Sequence, residues 1–259
     1  MIFRDMTWQE LGAIDWEHTV ALVPTGAMEQ HGPHLPVDTD SLIVTRLAEE
    51  AERRNPESTL LAPTVWLGHS PHHLSFGGTL SLFHQSYIHM LVGICQSLIS
   101  MGARKIGILN GHGGNRAPLS MVLQELKNEC PDVLVVSAEY WSLAPAEIDA
   151  IRQSGFGGLG HACEMETSLY LYLNEQGVRK DRIRDDGIAW PKDSFFRSEM
   201  MQGSAAARVM NFRELTDSGV YGRPTLAEAR KGEAFFAAIS DRIERFLQEV
   251  NLMETERNA

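Results

Sequence analysis

Cysteine is scarce: Cys95, Cys130 and Cys163 lie far apart and none belongs to a CxxC pair. That spacing excludes a disulfide framework and a thiolate zinc site, and it suits a reducing cytoplasm, the expected compartment. Long apolar runs are missing as well. Nowhere do about 18 or more apolar residues follow one another, and the first residues, Met1 to Trp8, lack a basic segment followed by an apolar core. The chain is therefore expected neither to span a membrane nor to be secreted. Basic residues are outnumbered, 23 Lys and Arg against 34 Asp and Glu, for a formal net charge of −11. Nucleic acid and anionic membranes reward clustered Lys and Arg, so neither is an expected partner. A GxSxG elbow is absent, which sets serine-hydrolase chemistry aside, and no internal repeat or low-complexity tract occurs.

What is present is an alternation of short apolar runs with helical spacing. With 259 residues, 43% of them hydrophobic and 22% charged, the chain is able to bury a sizeable core in one domain, residues 1–259. Residues 20–23, 60–67, 105–109 and 133–138 read as buried strands. Residues 7–14, 40–51, 86–100, 116–129 and 144–153, a stretch following 161–168, and one running from about 225 to 250 have helical spacing. Asp40 or Ser41 is placed to cap the second helix and Thr225 the last, and residues 254–259 form a polar tail expected to fray. The class predicted is α/β.

Three stretches carry chemistry. After the first strand, Glu29, His31, His34, Asp38 and Asp40 fall within twelve positions, interrupted by Gly32, Pro33 and Pro36. Imidazole and carboxylate together suit a divalent ion of the zinc, manganese or iron kind. Glu29 and His31 share a side in extended backbone, and the two oxygens of Asp40 suit it to bridging a pair of ions. A polar surface loop is the plainer alternative, and for Asp40 a helix cap. The second stretch, NGHGGN at 110–115, follows a strand directly, so His112 stands at a carboxyl end as the first cluster does. Such a turn also cradles phosphate, yet this one matches neither GxGxxG nor GxxxxGK[ST]. In the third stretch, 161–168, Glu164 and Glu166 sit where a helix N-terminus favours carboxylates. His161 has no such structural reason and is a candidate proton shuttle, while the glycine-rich 155–160 before it is a candidate lid. His69, His72 and His73 could be ligands but read rather as substrate-lining, since ligands are available elsewhere, and Trp141 reads as pocket wall or core.

EQHGPHLP at 29–36 with Asp40, NGHGGN at 110–115 and HACEMETS at 161–168 resemble, in this order, three signatures of the creatininase family of metal-dependent amidohydrolases; GHSPHH at 68–73 and GRPTLAEARKG from Gly222 resemble its further motifs. The resemblance implies a three-layer α/β/α fold with a mainly parallel central sheet. It also implies two divalent metal ions per subunit, zinc first and manganese or iron as alternatives. Glu29 and His112 would hold one ion, His31 the other, and Asp40 would bridge. Creatinine-hydrolysing members have a tyrosine and a glutamate ligand where this chain has Gly113 and Gly114, which argues against creatinine itself. Glu166 is the expected substitute ligand, with Glu164 its rival and otherwise a catalytic residue beside His161, the family's proton-transferring histidine. Substrate contacts are expected from His72, His73, Gly113 and Trp141. The resemblance further implies a small-molecule substrate and a homo-oligomer, commonly a hexamer. The activity expected is hydrolysis of an amide, a lactam or formamide, by metal-activated water. Alternatives are opening of a carbon–carbon bond in a cyclic keto-polyol, or a silent metal- or sugar-binding module.

Overall fold

The layers follow from the first strand. In the computed structural model, which describes residues 1–255, β1 (Val20–Thr25) is buried at every position. Val20 and Leu22 enter one apolar core, Ala21 and Val23 the other, as alternate residues of a strand must. It pairs with β2 (Thr59–Leu61) and β3 (Lys105–Asn110), and β3 pairs with β4 (Leu134–Glu139), giving an all-parallel sheet in the order β2-β1-β3-β4. Parallel strands covered on both faces read as continuous apolar runs, which is why these strands are legible.

Helices α2 (Thr39–Arg54), α5 (Pro145–Ile151), α6 (Glu164–Asn174) and α7 (Ala229–Leu252) cover one face through Ile43, Leu47, Ile148, Leu169, Phe235 and Ile239. Helices α1 (Trp8–Gly12), α3 (His84–Ser100) and α4 (Arg116–Glu129) cover the other through Leu11, Tyr87, Leu91, Leu119 and Val122. The architecture is three-layer α/β/α. At Gly232, α7 approaches α6 so closely that a Cβ would collide with the Ser168 carbonyl. No helix of the described residues is long and apolar enough to cross a membrane.

Several expected boundaries move. The second strand stops at Leu61, not at 67. Pro63 has no N–H for a ladder, and Val65 returns only for a single bridge to Thr25. Asp38 occupies the N-cap position of α2, so neither Asp40 nor Ser41 caps it; the Ser41 hydroxyl donates to the Ala27 carbonyl at 2.9 Å. Likewise α7 begins at Ala229, and the Thr225 hydroxyl donates to Asp185 at 2.7 Å instead of capping. The glycine-rich segment expected to be a lid is tied down, Gly157 N–H donating to Glu199 at 2.8 Å and Arg223 N–H to the Gly158 carbonyl at 3.1 Å. Of the expected frayed tail, residues 256–259 lie outside the described residues.

The topology also sets the site. The chain leaves β1 for α2 on one face and leaves β3 for α4 on the other. Adjacent parallel strands whose connections part in this way open a crevice at their carboxyl ends. Thr25 and Asn110, the last residues of β1 and β3, are register partners there.

Candidate metal centre

Four segments deliver side chains to that crevice. The loop after β1 brings Glu29 and His31, the turn after β3 brings His112, and the first turns of α2 and α6 bring Asp40 and Glu166. All five are at least nine-tenths buried. Asp40 stands between the two imidazoles, its Oδ1 3.2 Å from His31 Nε2 and its Oδ2 3.1 Å from His112 Nδ1. Glu29 Oε1 lies 3.3 Å from His112 Nδ1, and Glu166 Oε1 lies 3.9 Å from His31 Nε2. The other Glu166 oxygen is held by the Cys163 amide at 3.2 Å, so the helix N-terminus aims the carboxylate. Two groups result: His31 with Asp40 and Glu166, and Glu29 with His112 and His72; a third, Glu29 with His31 and His161, overlaps both.

Backbone carbonyls fix the imidazoles. His31 Nδ1 donates to the Glu29 carbonyl at 3.2 Å and His112 Nε2 to the His69 carbonyl at 3.2 Å. When each ring is neutral, the nitrogen facing the carboxylates therefore carries a lone pair, the arrangement by which a carbonyl behind a histidine prepares it for a metal. Acceptors then face acceptors, and Glu29 Oε2 and His31 Nε2 are buried with no hydrogen-bond partner. Ligand separations of 3.1 to 3.9 Å match the edges of a coordination polyhedron with bonds of about 2 Å. The residues fit divalent cations.

Without a cation the cluster holds protons. Burial pushes the His31 pKa down, but the carboxylates of Asp40, Glu166 and Glu29 outweigh it and raise the value to about 9. His112 is likewise lowered by burial yet raised well above the imidazole range by Glu29 and Asp40. Burial lifts Glu166 to about 7, partly opposed by His31. Asp40, which burial alone would raise, is brought down to about 2 by His31 and His112.

His161 differs from these. Its Nε2 donates to the Gln30 carbonyl at 2.6 Å, and burial, then His31 and His73, keeps the ring neutral. Nδ1, the lone-pair nitrogen, lies 3.6 Å from Glu29 Oε1. Its backbone is held by a two-way bridge to Tyr221, and the next residue, Ala162, is buried at φ 50°, a left-handed conformation an alanine adopts only when its surroundings impose it.

A cavity of about 160 Å³ adjoins the cluster. His72, His73, Gly113 and Trp141, the expected substrate contacts, lie on its wall together with His112, His161 and Glu166. His73 also backs Glu29: its Nδ1 accepts from the Gln30 amide at 2.7 Å, and its Nε2 lies 3.3 Å from Glu29 Oε1. Glu164 is not brought to the cluster. Its carboxylate is buried on the far side of the α6 first turn, bound to Lys231 at 2.7 Å and to the Gln153 and Ser154 amides at 2.8 Å, which corrects its expected placement among the reacting groups. His34 is also elsewhere, bonded to Thr167 at 2.9 Å. Gln30, Phe212 and Arg116 at the site were not anticipated. Gln30 was hidden between two ligating candidates, and Phe212 comes from a stretch without periodicity; Met200, which also lines the cavity, belongs to an apolar segment whose sequence suits an oligomer contact or a substrate lid.

A parallel α/β/α sheet with a buried carboxylate–imidazole cluster at its carboxyl pole offers candidate ligand groups for metal ions. A family model, Creatininase, described as creatinine amidohydrolase, matches residues 4–247, and the chain belongs to the creatininase family. It is 33% identical over 228 residues to the mycofactocin precursor peptide peptidase of Mycobacterium tuberculosis, covering 85% of this chain and 81% of the relative. It is 31% identical over 196 residues to the creatinine amidohydrolase of Pseudomonas putida, covering 70% and 75%. Among solved structures, a creatininase variant of the Zn–Zn type superposes with a TM-score of 0.77 at 26% identity, over 96% of this chain and 97% of that one.

Proposed function

We propose that the protein is a dinuclear metal-dependent hydrolase that cleaves a carbon–nitrogen amide bond of a small substrate, a lactam or formamide. The observation that carries this reading is Asp40 presenting one oxygen to each of two imidazoles whose other nitrogens are fixed by backbone carbonyls. Glu29 and His112 would hold one cation, His31 and Glu166 the other, with Asp40 available to both. When bound, divalent cations, zinc by preference, supply a nucleophile from water near neutral pH and polarise a carbonyl.

The protein's own groups supply the rest. Neutral His161 presents Nδ1 toward Glu29, so it takes up a proton beside the cluster and returns it to the leaving nitrogen, as general acid–base catalysis requires. The Gln30 carbonyl holds its Nε2–H and with it the tautomer. His73 and Gln30 orient Glu29, and Phe212, Met200 and Trp141 wall the cavity against water. Glu164 stays outside this chemistry. The enzyme is taken to be cytoplasmic and a homo-oligomer, a hexamer, which sedimentation of the purified protein checks.

The test is metal analysis followed by a substrate panel of lactams, formamides, short peptides and cyclic keto-polyols. Two equivalents of metal with turnover of an amide are expected. Turnover of keto-polyols alone would move the reading to carbon–carbon hydrolysis, and bound metal with every substrate untouched would leave a binding module.

A further inference from the structure

The two halves of the cluster are unequally furnished. His31, Asp40 and Glu166 make a complete group of three, whereas Glu29 and His112 share Asp40 and draw nothing from the rest of the NGHGGN turn. Position 114 cannot help. A Cβ there would collide with the His112 ring and the His69 carbonyl and would lie 2.8 Å from His72 Cε1. The space beside His112 is thus already taken by the His72 imidazole.

His72 is placed as a ligand would be. Its ring lies nearly parallel to that of His112, centroids 5.8 Å apart at 11°, and ligand atoms of Glu29, His72 and His112 fall within 4.8 Å of one another. The neighbouring histidines are otherwise engaged. His73 uses one nitrogen on Gln30 and turns the other to Glu29, and His69 Nδ1 donates to the Leu82 carbonyl at 3.0 Å. Neither ring nitrogen of His72 hydrogen-bonds to any described residue. A wall residue has no need of such convergence; a metal ligand does.

We propose that His72 ligates the cation served by Glu29, His112 and Asp40. This rests on the two-cation reading above and adds a ligand to it. His72 rides on the short 3-10 segment Pro71–Phe76, so that loop closes one metal site as well as walling the cavity.

Zinc titration of metal-depleted protein by calorimetry, with metal analysis of the purified chain, tests it without reference to turnover. The wild type should take two zinc ions and His72→Ala one, the lost site weakening about a hundredfold or more, at least the scale seen when support around a metal site is removed. His72→Asp, which keeps a ligating oxygen, should recover the second equivalent, and His69→Ala should bind as wild type does. Circular dichroism confirms that each variant is folded. If His72→Ala still binds two ions at wild-type affinity, His72 is only a wall and the proposal falls while the dinuclear reading stands. If the wild type itself takes no second ion, both fall. Loss of both ions from a folded His72→Ala would also overturn it, since the His31 site needs nothing from His72.

Discussion

Two buried acidic regions share the first turn of α6 and answer the cost of burial differently. Glu164 has a cation of its own. Burial would raise its pKa, but Lys231 and the amides of Ser154 and Gln153 bring it down; buried Glu199 is likewise paired with a cation of the chain, Arg152, at 2.9 Å. Two residues on, Glu166 faces Asp40 and Glu29 across a space to which the structure brings imidazoles and, among the described residues, no Lys or Arg ion pair. A buried carboxylate must be paired or neutralised. With Lys231 the pairing is permanent and serves the scaffold; with imidazoles fixed from behind, the positive charge is carried by protons that a bound metal ion would replace. The difference between a structural and a functional acid lies in whether its counter-charge is covalently part of the chain.

Removing the carboxylate that both imidazoles face should break the functional region outright. Asp40→Asn is expected to abolish tight binding of both ions and to lower activity by about a thousandfold or more, since metal stabilisation is worth several kcal/mol; metal analysis and turnover check it. His161→Gln should separate proton transfer from metal binding. Turnover falls by about 10² to 10⁴ while zinc stoichiometry stays at the wild-type value, and a matching loss of metal would contradict its role. Glu164→Gln sharpens the contrast from the other side. It strands buried Lys231, so urea denaturation should show a loss of about 3 kcal/mol or more, yet the folded variant should bind zinc like the wild type. Should its zinc affinity drop instead, Glu164 and Glu166 belong to one site and the comparison fails.

The sheet was legible because parallel strands covered on both faces are unbroken apolar runs, as at Val20 to Val23 and Lys105 to Leu109. The grouping of Glu29, His31, Asp40, His112 and Glu166 was legible because each lies just past a strand or just inside a helix, positions that topology sends to one pole. Cap positions were not. Asp38 and Asp40 are equally plausible by residue type, and only the path of the loop decides that the second turns inward. Where Glu164 itself goes was equally closed to the sequence, because it depends on Lys231, sixty-seven residues further along the chain. Phe212 reaches His161 with ring centroids 4.7 Å apart from a segment whose spacing announces no element.

If the counter-charge of the functional region is exchangeable, zinc must displace protons, and the pKa values set where. His31 is raised to about 9 and Glu166 to about 7, and His112 is raised as well. A raised pKa means the metal-free protein keeps its proton up to that pH, and a ligand must lose it to bind. Between pH 7 and 9 zinc therefore competes with imidazolium protons, and below pH 7 it must also displace the Glu166 proton. Affinity should fall about tenfold per pH unit for each proton displaced, more steeply below pH 7 than above it. Calorimetry of zinc binding in buffers of different ionisation enthalpy counts those protons. Glu166→Gln should remove the extra steepness below pH 7 and leave the alkaline limb in place, whereas Glu164→Gln, whose carboxylate is already ionised against Lys231, should change neither. A profile that is flat from pH 6 to 9 would mean that the positive charge of this cluster does not exchange, and the distinction between its two acids would be one of position only.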